Sequence, residues 1–179
     1  MPRIPTKQSK TPSFLKVGAT SIIGLMAFLF SLQLSAQSDI DTLLKEYNDQ
    51  TVPYISVQAL REDSSNYLVL DTRKREEYLV SHLPNAVWAS EVVDSAFAEA
   101  YPNKATPIVV YCSVGIRSED FGERLKELGY TNVQNLYGSI FAWKDKGYSL
   151  NNRDEKITDS VHVYSRQWGK YLSTGIKVH

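Results

Sequence analysis

Cysteine is almost absent from this chain: its 179 residues contain one, Cys112. A lone thiol cannot form an intramolecular disulfide, so the cross-linked scaffold common in small exported domains is excluded. The three histidines, His82, His162 and His179, are too scattered to make a metal site, and no second cysteine supports one. There is no internal repeat, no low-complexity segment, and no excess of positive charge of the kind that marks a nucleic-acid surface. Beyond residue 34 no apolar run is long enough to span a bilayer. Cys112 is thus either an inert core residue or a thiol kept for its chemistry.

The first 36 residues read as an export signal. Arg3, Lys7, Lys10 and Lys16 form a basic leader, Val17 to Leu34 is mostly apolar, and Leu34-Ser35-Ala36 offers small residues for a peptidase. Cleavage after Ala36 is expected, with an uncleaved anchor as the alternative; both place the remainder outside the cytoplasm, in a periplasm or the extracellular medium. An anchor of this kind would be the only membrane attachment. All four basic residues of the leader are lost on cleavage, with no acidic ones. From Gln37 on, 20 acids therefore outnumber the bases, for a net formal charge of about −4.

Residues 37–51 are expected to form an N-terminal helix, because Ile40, Leu43, Leu44 and Tyr47 recur at helical spacing. Residues 52–150 alternate short apolar runs with helical segments. Strands are predicted over 53–56, 67–71, 86–89, 107–111 and 132–136, and helices after Ser56 and over 75–80, 94–99, 118–128 and 139–146. That alternation predicts an α/β class, a single doubly wound parallel-sheet domain with helices on both faces. Gly129 stands where the longest helix needs its C-terminal cap. Residues 151–179, polar at first and then aromatic with Tyr164, Trp168 and Tyr171, are expected to pack on the domain as an extension, and Trp143, Trp168 and Tyr164 to serve in its core or cap.

In such a sheet, ligands bind beyond the carboxyl ends of the strands. Cys112 lies at that end of the fourth predicted strand. After it, Ser113, Val114, Gly115, Ile116, Arg117 and Ser118 must turn sharply into a helix, with Gly115 supplying backbone freedom and Ser118 expected as the helix cap. A loop curled over a helix start aims N–H groups inward and forms an anion cradle. A thiol there has a lowered pKa, and Arg117 would add positive charge at the mouth. Asp71, at the end of its strand, is a candidate to hold the loop or Arg73 through hydrogen bonds. Arg73 is either a second anion contact or a structural partner of Asp71. His82 reads as a packed residue ahead of Pro84.

The loop resembles the active-site loop of the rhodanese family, Cys-x-x-Gly-x-Arg-Ser in many single-domain members. Asp71-Thr72-Arg73, Glu77-Tyr78 and His82-Leu83-Pro84-Asn85-Ala86 are similar to the family's upstream segment. Residues 129–133, 136–138 and 143–147 are similar to its closing one, so the resemblance spans about 52 to 150. It departs from the family pattern at Ser81, Asn85 and Ser139, in turns expected to lie outside the cysteine loop. The resemblance implies a sulfurtransferase. Cys112 would take the outer sulfur of a small donor such as thiosulfate, become a persulfide, and pass the sulfur to a thiol or cyanide, with no metal or organic cofactor. It also keeps two rivals in view. One is a non-catalytic persulfide-carrying or binding module. The other is a phosphatase or arsenate reductase of the same fold, whose signature has five residues between cysteine and arginine where this chain has four.

Overall fold

The computed structural model describes residues 39–179; the expected signal segment, 1–36, lies outside the described residues. Among these, no helix is long and apolar enough to cross a membrane. Residues 39–47 form helix α1. Strand β1 (Tyr54–Ile55) leads to α2 (Val57–Asp63), β2 (Leu68–Asp71) to α3 (Arg75–Val80), and β3 (Val87–Trp88) to α4 (Ser95–Ala100). Then β4 (Ile108–Tyr111) leads to α5 (Arg117–Glu127), and β5 (Val133–Leu136) to α6 (Ser139–Asp145). These five strands make one sheet in the order β1-β5-β4-β2-β3, every pairing parallel.

Two local signals set the helix ends as expected. Ser56 accepts a hydrogen bond from the Ala59 N–H and so caps α2. Gly129, at φ +89°, closes α5 with Tyr130 N–H bonded to Leu125 C=O.

Alternating residues of the central strands feed two cores. Val69, Val109, Tyr111 and Leu136 pack with Leu60, Ile140, Phe141 and Trp143 on one face. Leu70, Ile108, Val110 and Val133 pack with Phe97, Phe121, Leu125 and Tyr130 on the other. All four residues of β4 are 0% exposed, which is why this strand reads as an unbroken apolar run. Each fully buried aliphatic side chain of this kind contributes about 1.5–3 kcal/mol.

The tail differs from the sequence expectation by containing regular structure. Strand β6 (Leu150–Asn151) pairs antiparallel with β7 (Ile157–Thr158), and β8 (Ser160–His162) pairs parallel with β9 (Ile176–Val178). Strands of two or three residues in polar sequence carry no periodic signal, so only their partners reveal them. The extension is nevertheless anchored: Val161, Val163 and Leu172 are buried in the same core as Val69 and Tyr111.

The sheet order positions the site. From β2 the chain moves outward to β3, whereas from β4 it moves the opposite way to β5. The order therefore reverses between β2 and β4, and a crevice opens beyond their carboxyl ends. Asp71 and Tyr111 are register partners at that rim.

Candidate functional site

Cys112 follows β4 directly and is 1% exposed, at the base of a cleft of about 190 Å³. Five lining residues, Cys112, Ser113, Val114, Ile116 and Arg117, come from the loop, and two, Tyr164 and Trp168, from the tail. The sulfur accepts the Gly115 N–H at 3.2 Å. Gly115 sits at φ +116°, a conformation side-chain-bearing residues rarely adopt, and a Cβ there would meet Leu44 Cδ2 at 3.2 Å. The loop is braced from behind by Asn48 and Asn135, whose Nδ2 groups donate to the Gly115 carbonyl at 2.9 and 2.8 Å. Asn135 and Asn48 also reach Glu119, which ties the brace to α5.

Burial pushes the Cys112 thiol up. The Arg117 charge, the Ser118 hydroxyl and N–H, and the Gly115 N–H together outweigh it and hold the thiol below its ordinary value. The sulfur thus sits where a thiolate, and equally a persulfide anion, is stabilised by converging N–H groups.

Ser118 does not cap α5 as expected. The helix begins one residue earlier, at Arg117, with Ile116 in the cap position and no side-chain cap bond. Ser118 is fully buried inside the first turn, and its hydroxyl donates to Asn135 Oδ1 at 2.8 Å. That single rotatable proton serves either Asn135 or the sulfur. Ser118→Ala should therefore move the pH midpoint of Cys112 alkylation upward and slow alkylation at neutral pH. The sign follows from chemistry: the reactive thiolate is present above the thiol's pKa and lost as pH falls through it, and the variant loses a contact that lowers it. Iodoacetamide kinetics against pH check this; an unmoved midpoint would show that the hydroxyl does not reach the sulfur.

Arg117 does not point freely into the mouth. Its Nη1 and Nη2 donate to both carboxylate oxygens of Glu77 at 2.8 and 2.9 Å, and Nη2 also donates to Ser113 Oγ at 3.0 Å. Burial pushes the Glu77 carboxyl up, but the Arg117 bonds and charge prevail and keep it below its usual range. A bidentate pair with a carboxylate that is 0% exposed locks the guanidinium geometry. Glu77 was legible in the sequence only as part of the family-like Glu77-Tyr78; nothing local announced its partner 40 residues away.

Asp71 and Arg73 form a fully buried pair, with Arg73 Nη2 on Asp71 Oδ2 at 2.7 Å. The Tyr111 hydroxyl donates to the same carboxylate at 2.7 Å, and Arg73 Nη2 also donates to the Ser81 carbonyl at 2.6 Å. At 0% exposure Arg73 meets no donor molecule: it braces the turn after β2. His82 is 1% exposed, stacked on Tyr78 and bonded to the Tyr78 carbonyl and Glu155. Among the described residues, no group of three or more His, Cys, Asp or Glu is placed to hold a metal ion.

Ser139 lies outside the loop, at the start of α6 as a departure in a turn should, yet it reaches the loop. Its hydroxyl accepts the Cys112 N–H at 3.1 Å and donates to the Leu136 carbonyl at 3.2 Å, so it fixes the residue carrying the sulfur. Asn85 does occupy a turn, at φ +63°, which asparagine tolerates.

A family model described as the Rhodanese-like domain matches residues 56–146, more than half of the chain. The chain belongs to the rhodanese-like domain family. Among curated proteins it is similar to the tRNA uridine(34) hydroxylase of Onion yellows phytoplasma (32% identical over 117 residues, 63% of this chain and 37% of that protein). It also resembles that of Photorhabdus laumondii (26% identical over 140 residues, 73% of this chain and 39% of that protein). The chain spans well under half the length of these relatives. Among solved structures, the rhodanese-like domain of an Anabaena protein aligns with TM-score 0.51 at 20% identity, covering 58% of this chain and 83% of that one. Thiosulfate sulfurtransferase from Pseudomonas aeruginosa aligns with TM-score 0.50 at 21% identity, covering 78% of this chain and 26% of that one. These likenesses show the fold: a central parallel sheet flanked by helices, as the strand order here has it.

Proposed function

We propose that this rhodanese-like protein is a sulfurtransferase whose nucleophile is Cys112. The outer sulfur of a donor such as thiosulfate bonds to the Cys112 thiolate as the donor's own bond to it breaks and the residual anion leaves with the electron pair. A thiol or cyanide then attacks that outer sulfur and frees the thiolate. Two half-reactions on one nucleophile predict ping-pong kinetics. The observation that carries this reading is the convergence of the Gly115 N–H and the Ser118 group on a buried sulfur at the end of β4, which lowers its pKa. Loop spacing supports sulfur over phosphate: the four residues from Ser113 to Ile116 make a smaller cradle than the five-residue loop of the phosphatase and arsenate reductase rivals.

We also propose that the reaction takes place outside the cytoplasm, on the strength of the basic and apolar leader in residues 1–36. The hydroxylase named in the longer relatives is not carried over to this chain.

Mass spectrometry of the intact mature protein is the test. Exposed to thiosulfate with no acceptor, it should gain the mass of one sulfur atom, and cyanide or a small thiol should remove it, because no second cysteine is present to displace the sulfur. Phosphate release from an aryl phosphate without any sulfur adduct would overturn the sulfurtransferase reading in favour of its rival. Uptake of sulfur that no acceptor removes would indicate a persulfide carrier instead.

A further inference from the structure

The tail supplies two of the seven residues lining the cleft that Cys112 opens into, Tyr164 and Trp168, and it lies beyond the residues matched by the family model. Tyr164 is 49% exposed, and its ring stands 5.0 Å from the Arg117 guanidinium. Its backbone is held at φ +62°, in the left-handed region that a tyrosine seldom occupies, with its N–H donating to His162 Nδ1 at 3.1 Å. Trp168 opens the short helix Trp168–Tyr171, and its ring packs against Tyr171. The Tyr164 backbone is thus held within the tail while its ring lies by Arg117 and Lys74, the Trp168 ring packs on Tyr171, and both residues line the cleft together with the loop.

The charge balance points the same way. Among the described residues, Arg117 is the only basic or acidic side chain lining the cleft, and both of its outer nitrogens are committed to Glu77. Arg73 is committed to Asp71. Among the described residues, Lys74, with Nζ 5.7 Å from the Tyr164 ring, is the one further cation placed over a ring that lines the cleft. A compact dianion entering the cleft would lose its water without finding two free positive charges to replace it. A singly charged donor with an apolar flank would be matched on both counts, its flank covering aromatic surface.

Resting on the sulfurtransferase reading, we propose that Tyr164 and Trp168 determine donor specificity, so that the cleft selects sulfane donors carrying an aromatic group over those carrying a small one. With an arenethiosulfonate the step balances as follows. The Cys112 thiolate attacks the terminal sulfur, the bond from that sulfur to the sulfonyl sulfur breaks, and the electron pair leaves on an arenesulfinate, giving a Cys112 persulfide anion. Two negative charges enter and two leave, with no outside oxidant or proton.

The experiment compares benzenethiosulfonate with methanethiosulfonate, which share one reacting head and one charge and differ in the flank. Rates of sulfur addition to Cys112 are read by intact mass, each divided by the rate of the same donor with N-acetylcysteine to remove intrinsic reactivity. The corrected aromatic-to-methyl ratio should be about tenfold or more in the wild-type mature chain, the size expected for one ring placed on two aromatic walls. It should fall towards one in Tyr164→Ala and in Trp168→Leu, and furthest in the double variant. Thermal melts establish that each variant is folded; Tyr164, half exposed, offers the substitution least coupled to the core. A wild-type ratio near one, or a ratio that survives in the folded Tyr164→Ala variant, overturns the specificity assignment while leaving sulfur transfer intact. No sulfur addition from either donor or from thiosulfate overturns the underlying reading and the assignment together.

Discussion

Cys112→Ser should abolish sulfur uptake, lowering its rate by about a thousandfold or more while the domain remains folded. The sulfur lies on the base of the cleft and accepts the Gly115 N–H. A serine oxygen can accept the same bond, so the loop keeps its shape and the stability cost should stay near about 1 kcal/mol. What is lost is nucleophilicity: the contacts that hold the thiol below its ordinary value favour a thiolate, whereas a hydroxyl in the same cradle stays protonated. Single-turnover mass spectrometry with thiosulfate reads the result directly. Residual uptake at more than a few per cent of the wild-type rate would show that another group carries the sulfur.

The second large effect concerns stability. Asp71→Ala should cost about 3–5 kcal/mol, because it leaves a buried guanidinium without its counter-charge. The Asp71 carboxylate accepts the Arg73 N–H at 3.0 Å, Nε at 2.9 Å, Nη2 at 2.7 Å and the Tyr111 hydroxyl at 2.7 Å. Both partners of the pair are 0% exposed, so water cannot take over. In a domain of this size the melting temperature should fall by about 10 °C or more. A double variant, Asp71→Leu with Arg73→Met, should recover a substantial part of that loss, since two apolar side chains of similar bulk remove the buried charge altogether. A melting temperature in Asp71→Ala within about 2 °C of wild type would mean that the pair contributes little and that Arg73 finds another counter-charge. The effect on sulfur uptake should be secondary: Asp71 pairs with Tyr111 in the sheet, and Tyr111 immediately precedes the cysteine, so a loosened rim displaces the loop.

Much of this architecture was legible along the chain. Five strands, their helices and the position of Cys112 just past the fourth strand follow from signals that act over a few residues. These are apolar runs that become buried strands, Ser56 at a helix start, and Gly129 at a helix end. Gly115 was legible for the same reason, since a strand-to-helix turn this tight demands a positive φ. The observed strands and helices stay within one or two residues of those expected, except for the N-terminal helix, which ends at residue 47 rather than 51, and the tail, where the strands are too short to leave a period.

The tertiary structure decided what those residues face. A spacing along the chain tells which side chains share a side of an element, but not which distant element that side will meet. Arg117 reads in sequence as a free cation at a loop mouth; strand order brings α3 beside the loop, and Glu77 takes both of its outer nitrogens. Ser118 reads as a cap, yet the helix starts at Arg117 and the hydroxyl turns inward to Asn135. Ser139 reads as a variant turn residue, yet the β4–β5 pairing carries the end of β5 alongside the loop, where its hydroxyl takes the Cys112 N–H. Tyr164 and Trp168 reach the cleft because the tail returns across the domain and buries Val161, Val163 and Leu172 in its core. By itself, the sequence determined the fold's elements and the location of Cys112 at a strand end, which depend on local periodicity and turn chemistry. Only the folded chain decided the electrostatics and the walls of the cleft, because those arise from contacts between segments tens of residues apart that no local pattern encodes.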